Sequence, residues 1–143
     1  MSSLQKLMTD FTQILRLHEK NFFIDDFEKL GAIDTDYLEA VYQLKDPTIG
    51  TISKLLNQST PNTNYHLKKL IRLGLIEKQL DEKDRRVTHL HVTDRYIELV
   101  ESNGEFWNEL QNRLEENVSP IDLAIFKRVL KQVTEIISEQ NKD

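Results

Sequence analysis

Leu4, Leu7, Met8, Phe11, Leu15, His18 and Phe22 recur at intervals of three and four, the spacing of one face of an α-helix. An apolar cluster, Phe22, Phe23, Ile24 and Phe27, precedes Leu30-Gly31, where Gly31 predicts a stop. Asp34 or Thr35 can cap a second helix, with Leu38, Val41, Tyr42 and Leu44 inward. Asp46-Pro47 breaks that pattern, and Thr48 opens a short third helix with Ile49, Ile52, Leu55 and Leu56 inward. A tight turn over Asn57–Thr60 leads to a fourth helix, with Thr60 as N-cap and Pro61 first in the helix. Leu67, Leu70 and Ile71 form its inner face, and Gly74 closes it.

After Gly74 the period changes from helical to alternating. Leu75–Leu80 and Val87–Val92 predict two short strands joined by the charged hairpin loop Asp81-Glu82-Lys83-Asp84-Arg85-Arg86. Thr93 then caps a fifth helix, whose stripe of Ile97, Val100, Trp107, Leu110, Leu114 and Val118 is interrupted by Gly104, a bend or a close helix contact. Ser119-Pro120 starts a sixth, carrying Phe126, Val129, Leu130, Val133, Ile136 and Ile137, and the tail Asn141-Lys142-Asp143 is expected to fray. The predicted order is helix, helix, short helix, turn, helix, strand, charged loop, strand. It describes a mainly α chain with a small β-hairpin wing, a winged helix-turn-helix over 33–93. The flanking helices, 1–30 and 94–140, have apolar stripes too long for so small a core. The fifth alone would run about 35 Å at 1.5 Å per residue. A second copy of the chain is the simplest surface to cover them, so they are read as dimerisation helices of one domain spanning 1–143.

Composition narrows this picture. The 143 residues contain no cysteine, which excludes disulfides, thiol catalysis and thiolate metal sites and fits a reducing, cytoplasmic setting. The first eleven residues include Lys6 and Asp10 and lack the apolar run of a secretion signal, and no stretch has membrane-spanning length. The net charge is −5, but its distribution is uneven. From Asp46 to Val92 eight cations face five anions, a local surplus of three, so the flanks carry −8.

The surplus falls on the fourth helix and the hairpin. Turning 100° per residue from the inner face places Asn62, Tyr65, Lys69 and Arg72 outward, with Asn64 and Lys68 beside them. Asparagine amides match adenine edges in a major groove, lysines neutralise phosphates, and Ser59, Thr60 and the free N–H groups of the helix start can hold another phosphate. Lys83, Arg85 and Arg86 in the hairpin loop suit the negative potential of a narrow minor groove. Asp84 would repel phosphate, and its expected role is to pair with Arg86 and shape the loop. A basic outer helix face is usually only a solvated face. The capped helix, the turn and the basic hairpin together point to double-stranded DNA.

Residues from about Ile33 to Thr93 resemble the multiple-antibiotic-resistance regulator (MarR) family. The resemblance rests on Thr48 to Leu56, Ser59 through Leu70, Gly74-Leu75-Ile76, and above all Asp84-Arg85-Arg86 followed by Leu90-His91-Val92-Thr93, which is similar to the family's Asp-x-Arg wing signature and its strand ending in Thr. It implies a homodimer built from the first, fifth and sixth helices, a recognition helix in the major groove and a wing in the minor groove. It implies Asp84 and Arg86 as the signature pair, Arg85 or Lys83 as the wing-tip contact, and in many members repression relieved by a small-molecule effector. This sequence departs from the pattern at Val87, Tyr96, Thr63 and His66, the last two at positions commonly aliphatic.

His89 and His91 share one strand face, a spacing that would suit zinc or copper, but with no third ligand nearby a wet, DNA-side face is the plainer reading. His18 reads as a satisfied interface histidine. No G-x-S-x-G, phosphate-binding glycine loop or H-E-x-x-H motif is present, and no enzyme or cofactor is expected. Two functions remain open: a DNA-binding regulator, most simply a repressor on a pseudo-palindromic site, and a winged-helix module that binds protein instead, which the acidic flanks would suit.

Overall fold

A computed structural model describes residues 1–19, 30–101 and 104–140, the side chains of Glu19 and Gln140 excepted. The apolar cluster from Phe22 to Phe27 and the tail from Asn141 lie outside the described residues. Among the described residues the order is α1 (Ser3–Glu19), α2 (Ala32–Gln43), α3 (Ile49–Leu55), α4 (Thr60–Arg72), β1 (Ile76–Leu80), β2 (Thr88–Val92), α5 (Asp94–Glu101), α6 (Gly104–Asn117) and α7 (Pro120–Gln140). The single long helix expected from Thr93 to Val118 is two segments, α5 and α6, on either side of residues 102–103. Residues 102–103, between the two, lie outside the described residues.

The helix starts differ from expectation in instructive ways. Gly31, expected to stop the first helix, is the N-cap of α2. Asp34, expected as a cap, sits in the first turn and accepts the Gly31 N–H at 3.0 Å. The same oxygen also accepts from Lys69 on α4, and the other faces His66 on that helix. Thr48 caps α3, accepting the Thr51 N–H. Ser59, not Thr60, caps α4, accepting the Asn62 N–H at 3.2 Å. Pro61 therefore occupies the second helical position, where an N–H would also lack an intrahelical partner. The α4 helix ends as its glycine predicts. Gly74 has φ 74°, the Leu75 N–H donates to the Leu70 carbonyl at 3.0 Å, and the Gly74 N–H donates to Ile71 at 2.9 Å.

The strands pair antiparallel with Ile76 opposite Val92 and Leu80 opposite Thr88. Tyr37, Leu38, Val41, Ile52, Leu67, Leu70, Leu75, Ile76, Leu90 and Tyr96 form one core beneath this hairpin. Its apolar burial is the main force holding α2–α4 in a helix-turn-helix arrangement. Tyr42, Leu44 and Leu55, expected inside, are left substantially exposed. At α3 the reason is local. Ser53 is buried because its hydroxyl donates to Thr63 on α4 at 2.9 Å, which turns Leu55 outward. Tyr96, a departure from the family pattern, packs edge-on against Tyr42 with ring centroids 5.7 Å apart.

The start of α5 is fastened to the end of α4. The Thr93 hydroxyl donates to the Gly74 carbonyl, the Thr93 N–H to the Leu75 carbonyl at 3.0 Å, and the Arg95 guanidinium to the Leu73 carbonyl at 2.9 Å. Beyond this point burial falls away. Among the described residues, only Leu123 is buried on α6 and α7, and none on α1.

Candidate nucleic-acid interface

Two outward surfaces flank the core, the polar face of α4 and the loop between β1 and β2. On α4, Tyr65 is 69% exposed, and Thr60, Asn62, Lys68 and Arg72 are also exposed, with Asn64 partly so. The Ser59 hydroxyl sits at the helix start beside N–H groups that α-helical geometry leaves without carbonyl partners.

Lys69 belongs to a different arrangement from the one its spacing predicts. Its ammonium lies 2.7 Å from Asp34 Oδ2, and His66 Nδ1 lies 2.8 Å from Asp34 Oδ1. Asp34 is only 3% exposed, so α4 meets α2 around a buried carboxylate. Burial alone would raise its pKa. The Lys69 hydrogen bond, the Gly31 amide, the His66 hydrogen bond and the Lys69 charge outweigh that and hold it below 3.8. Next to this cluster Tyr37 stacks on His66 at 5.2 Å, and its hydroxyl lies 3.1 Å from that of the fully buried Thr63. Thr63 and His66, unusual by family pattern, are therefore the α4 side of one polar seam. Spacing missed Asp34, because a partner 35 residues away leaves no periodic trace.

In the hairpin loop two aspartates organise the backbone. Asp81 Oδ2 accepts the N–H groups of Lys83 at 3.1 Å and Asp84 at 2.8 Å. Asp84 Oδ1 accepts the Arg86 N–H at 3.0 Å and its Nε at 3.1 Å. These side chain-to-backbone bonds two and three residues ahead are Asx turns. The Arg86 hydrogen bonds hold Asp84 below its ordinary range, and the His89 hydrogen bond does the same for Asp81. Lys83, Arg85 and Arg86 are exposed at the end of the hairpin.

The strand face of His89 and His91 is not simply wet. His89 Nε2 is 2.9 Å from Asp81 Oδ1, and its Nδ1 is 3.3 Å from Asp46 Oδ1. Among the described residues no group of three or more His, Cys, Asp or Glu side chains is arranged to hold a metal ion.

A helix-turn-helix is thus followed by a two-stranded wing in which Asp84 pairs with Arg86. Residues 29–87 match the sequence profile of the MarR family. The winged helix of this chain is a MarR-family one. Solved structures of MarR-type proteins share the fold over nearly the whole chain. A MepR mutant from a multidrug-resistant S. aureus clinical isolate superposes with a TM-score of 0.70 at 21% identity, over 91% of this chain and 96% of that one. Streptococcus pneumoniae FabT, crystallised in complex with DNA, gives 0.62 at 22% identity over 95% of each chain. The transcriptional regulator SlyA gives 0.60 at 16% identity over 99% of this chain and 98% of that one. Among curated proteins no sequence match is found. At these identities the likeness establishes the MarR fold, and the roles of individual side chains rest on this chain's own geometry. Among the described residues no helix is long and apolar enough to cross a membrane.

Proposed function

We propose that this protein is a homodimeric, sequence-specific DNA-binding transcriptional regulator of the MarR family, acting in the cytoplasm as a repressor and without catalytic activity. The observation that carries the reading is the exposed polar and cationic face of α4 beside a wing whose arginines are presented by an ordered loop. FabT, of the same fold, was crystallised in complex with DNA. Asn62, Asn64 and Tyr65 would read base edges, and Ser59, Thr60 and Lys68 would hold phosphates. Lys83, Arg85 and Arg86 would meet the minor groove. Lys69 supports α4 through Asp34 in place of the phosphate contact its spacing implies.

The dimer reading rests on α1, α6 and α7. Leu4, Leu7, Ile14, Leu17, Trp107, Ile121, Phe126, Ile136 and Ile137 are all at least two-fifths exposed. An isolated soluble chain rarely leaves so much contiguous apolar surface in water, and a second copy would cover it. Two recognition helices one DNA turn apart, about 34–36 Å, would then fit a pseudo-palindromic site.

Fluorescence anisotropy tests the function, with the protein titrated into labelled DNA from its own promoter and into scrambled DNA at two salt concentrations. Tight, sequence-preferring and salt-sensitive binding is expected. Failure to bind either DNA at low salt would favour a protein-binding winged-helix module.

A further inference from the structure

We propose that His89 is a positioning residue of the DNA-binding surface: its imidazolium, set between Asp46 and Asp81, latches the wing to the turn between α2 and α3 and makes DNA affinity depend on pH. The inference rests on the proposed DNA-binding function.

Each end of the ring meets a different part of the molecule. Asp46 belongs to the turn after α2 and has φ 51°, which aims its carboxylate at the strand. Asp81 begins the wing loop and is bifunctional: Oδ1 lies 2.9 Å from His89 Nε2, while Oδ2 receives the N–H groups of Lys83 and Asp84. A continuous path of polar contacts thus runs from the core turn through the imidazole to the backbone that presents the wing's cations. The backbone follows the same route. His89 bridges to Thr48, and the Leu90 N–H donates to the Pro47 carbonyl at 2.8 Å.

A neutral ring carries one N–H and cannot serve both carboxylates, whereas an imidazolium donates from both nitrogens. His89 Nδ1 is shut off from solvent against the Asp46 carboxylate and backbone, so a proton on Nδ1 serves Asp46 while one on Nε2 serves Asp81. The titratable groups facing the ring are Asp46 from the turn, Asp81 from the loop and, on its own strand, His91, whose Nε2 is 3.6 Å from the same Asp46 oxygen. The Asp81 hydrogen bond lifts the His89 pKa above 6.5; burial opposes this, and the charges of Asp46 and Asp81 reinforce it. A raised folded value means that the latch is complete below the ordinary histidine range and is lost as pH rises through the raised value.

The test measures DNA affinity from pH 6 to 8.5 at fixed ionic strength for the wild type, His89→Gln and Asp46→Asn, with circular dichroism to confirm folding. Asparagine tolerates the positive φ of position 46, so the second variant keeps the turn. Wild-type affinity should fall about tenfold across the range, beyond whatever slope the other titrating groups impose on all three proteins. Both variants should lose that extra fall. Variants that keep the wild-type pH slope would overturn the latch while leaving the regulator reading intact. If no DNA is bound at any pH, the regulator reading fails, and with it the latch's effect on affinity. The latch itself is then decided on the free protein by the hydrogen-exchange protection of the Leu90 amide, corrected for intrinsic exchange. Protection that falls with pH in the wild type but not in His89→Gln supports it. Protection that is flat with pH, or that falls equally in both proteins, overturns it.

Discussion

Asp34 is the residue on which the placement of the recognition helix depends most. Replacing it with alanine would remove the carboxylate that Lys69 and His66 share and would free the Gly31 N–H. The expected cost is about 2–3 kcal/mol, read as a lowered urea midpoint at an unchanged m-value. The same geometry fixes a sign with pH. Because the folded pKa of Asp34 is depressed, its contribution is present above about 3.8 and disappears as pH falls through the lower folded value. Acid should therefore loosen the contact between α2 and α4, visible as loss of the Tyr37 and His66 ring signals' native shifts. Neighbouring lysines separate by role at this scale. Lys68→Ala should reduce the salt slope of DNA binding by about one, whereas Lys69→Ala should lower stability and leave that slope near the wild-type value. A unit loss of slope in Lys69→Ala would restore it to the phosphate-contacting set. Helical spacing showed which side of α4 these lysines share but not which of them is engaged. An ion pair between residues 34 and 69 has no signature in local periodicity.

At the level of elements, the order and type of the helices and strands were legible from the apolar pattern, because most have a single apolar face and a recognisable cap or stop. The start of each strand agreed to within one residue, since the hairpin is bounded by Gly74 and by the charged loop. What the pattern missed came from competition between caps: Gly31 over Asp34, Ser59 over Thr60. In each case a side chain that could cap was claimed by another partner or lay one residue too late. The wing was legible as a charged hairpin, whereas its internal Asx turns depend on backbone geometry. Its central prediction is that Arg86→Ala weakens DNA binding while leaving a folded protein of unchanged oligomeric state. Arg86 is largely in water, so its pairing with Asp84 contributes little to stability. Wild-type affinity in this variant would remove the wing from the interface.

For the whole molecule, folding leaves two kinds of surface unfinished, the polar face around α4 and the apolar faces of α1, α6 and α7. The second implies that stability and assembly are coupled. The melting temperature should rise with protein concentration, and Ile136→Glu should yield a species of half the mass in sedimentation with much weaker operator binding. A concentration-independent melting temperature for a monomer of wild-type affinity would sink the dimer. The ties from Thr93 and Arg95 to the carbonyls of Leu73, Gly74 and Leu75 carry a mechanical consequence. They tie the end of α4 to the start of α5, so a rotation of α4 on DNA is expected to carry α5 with it. An operator whose half-sites are slightly out of phase could not be accommodated by local play at the reading head. The tolerance for spacer length would be that of the helical frame alone, and inserting or deleting two base pairs between half-sites would be felt as a loss of the whole second contact.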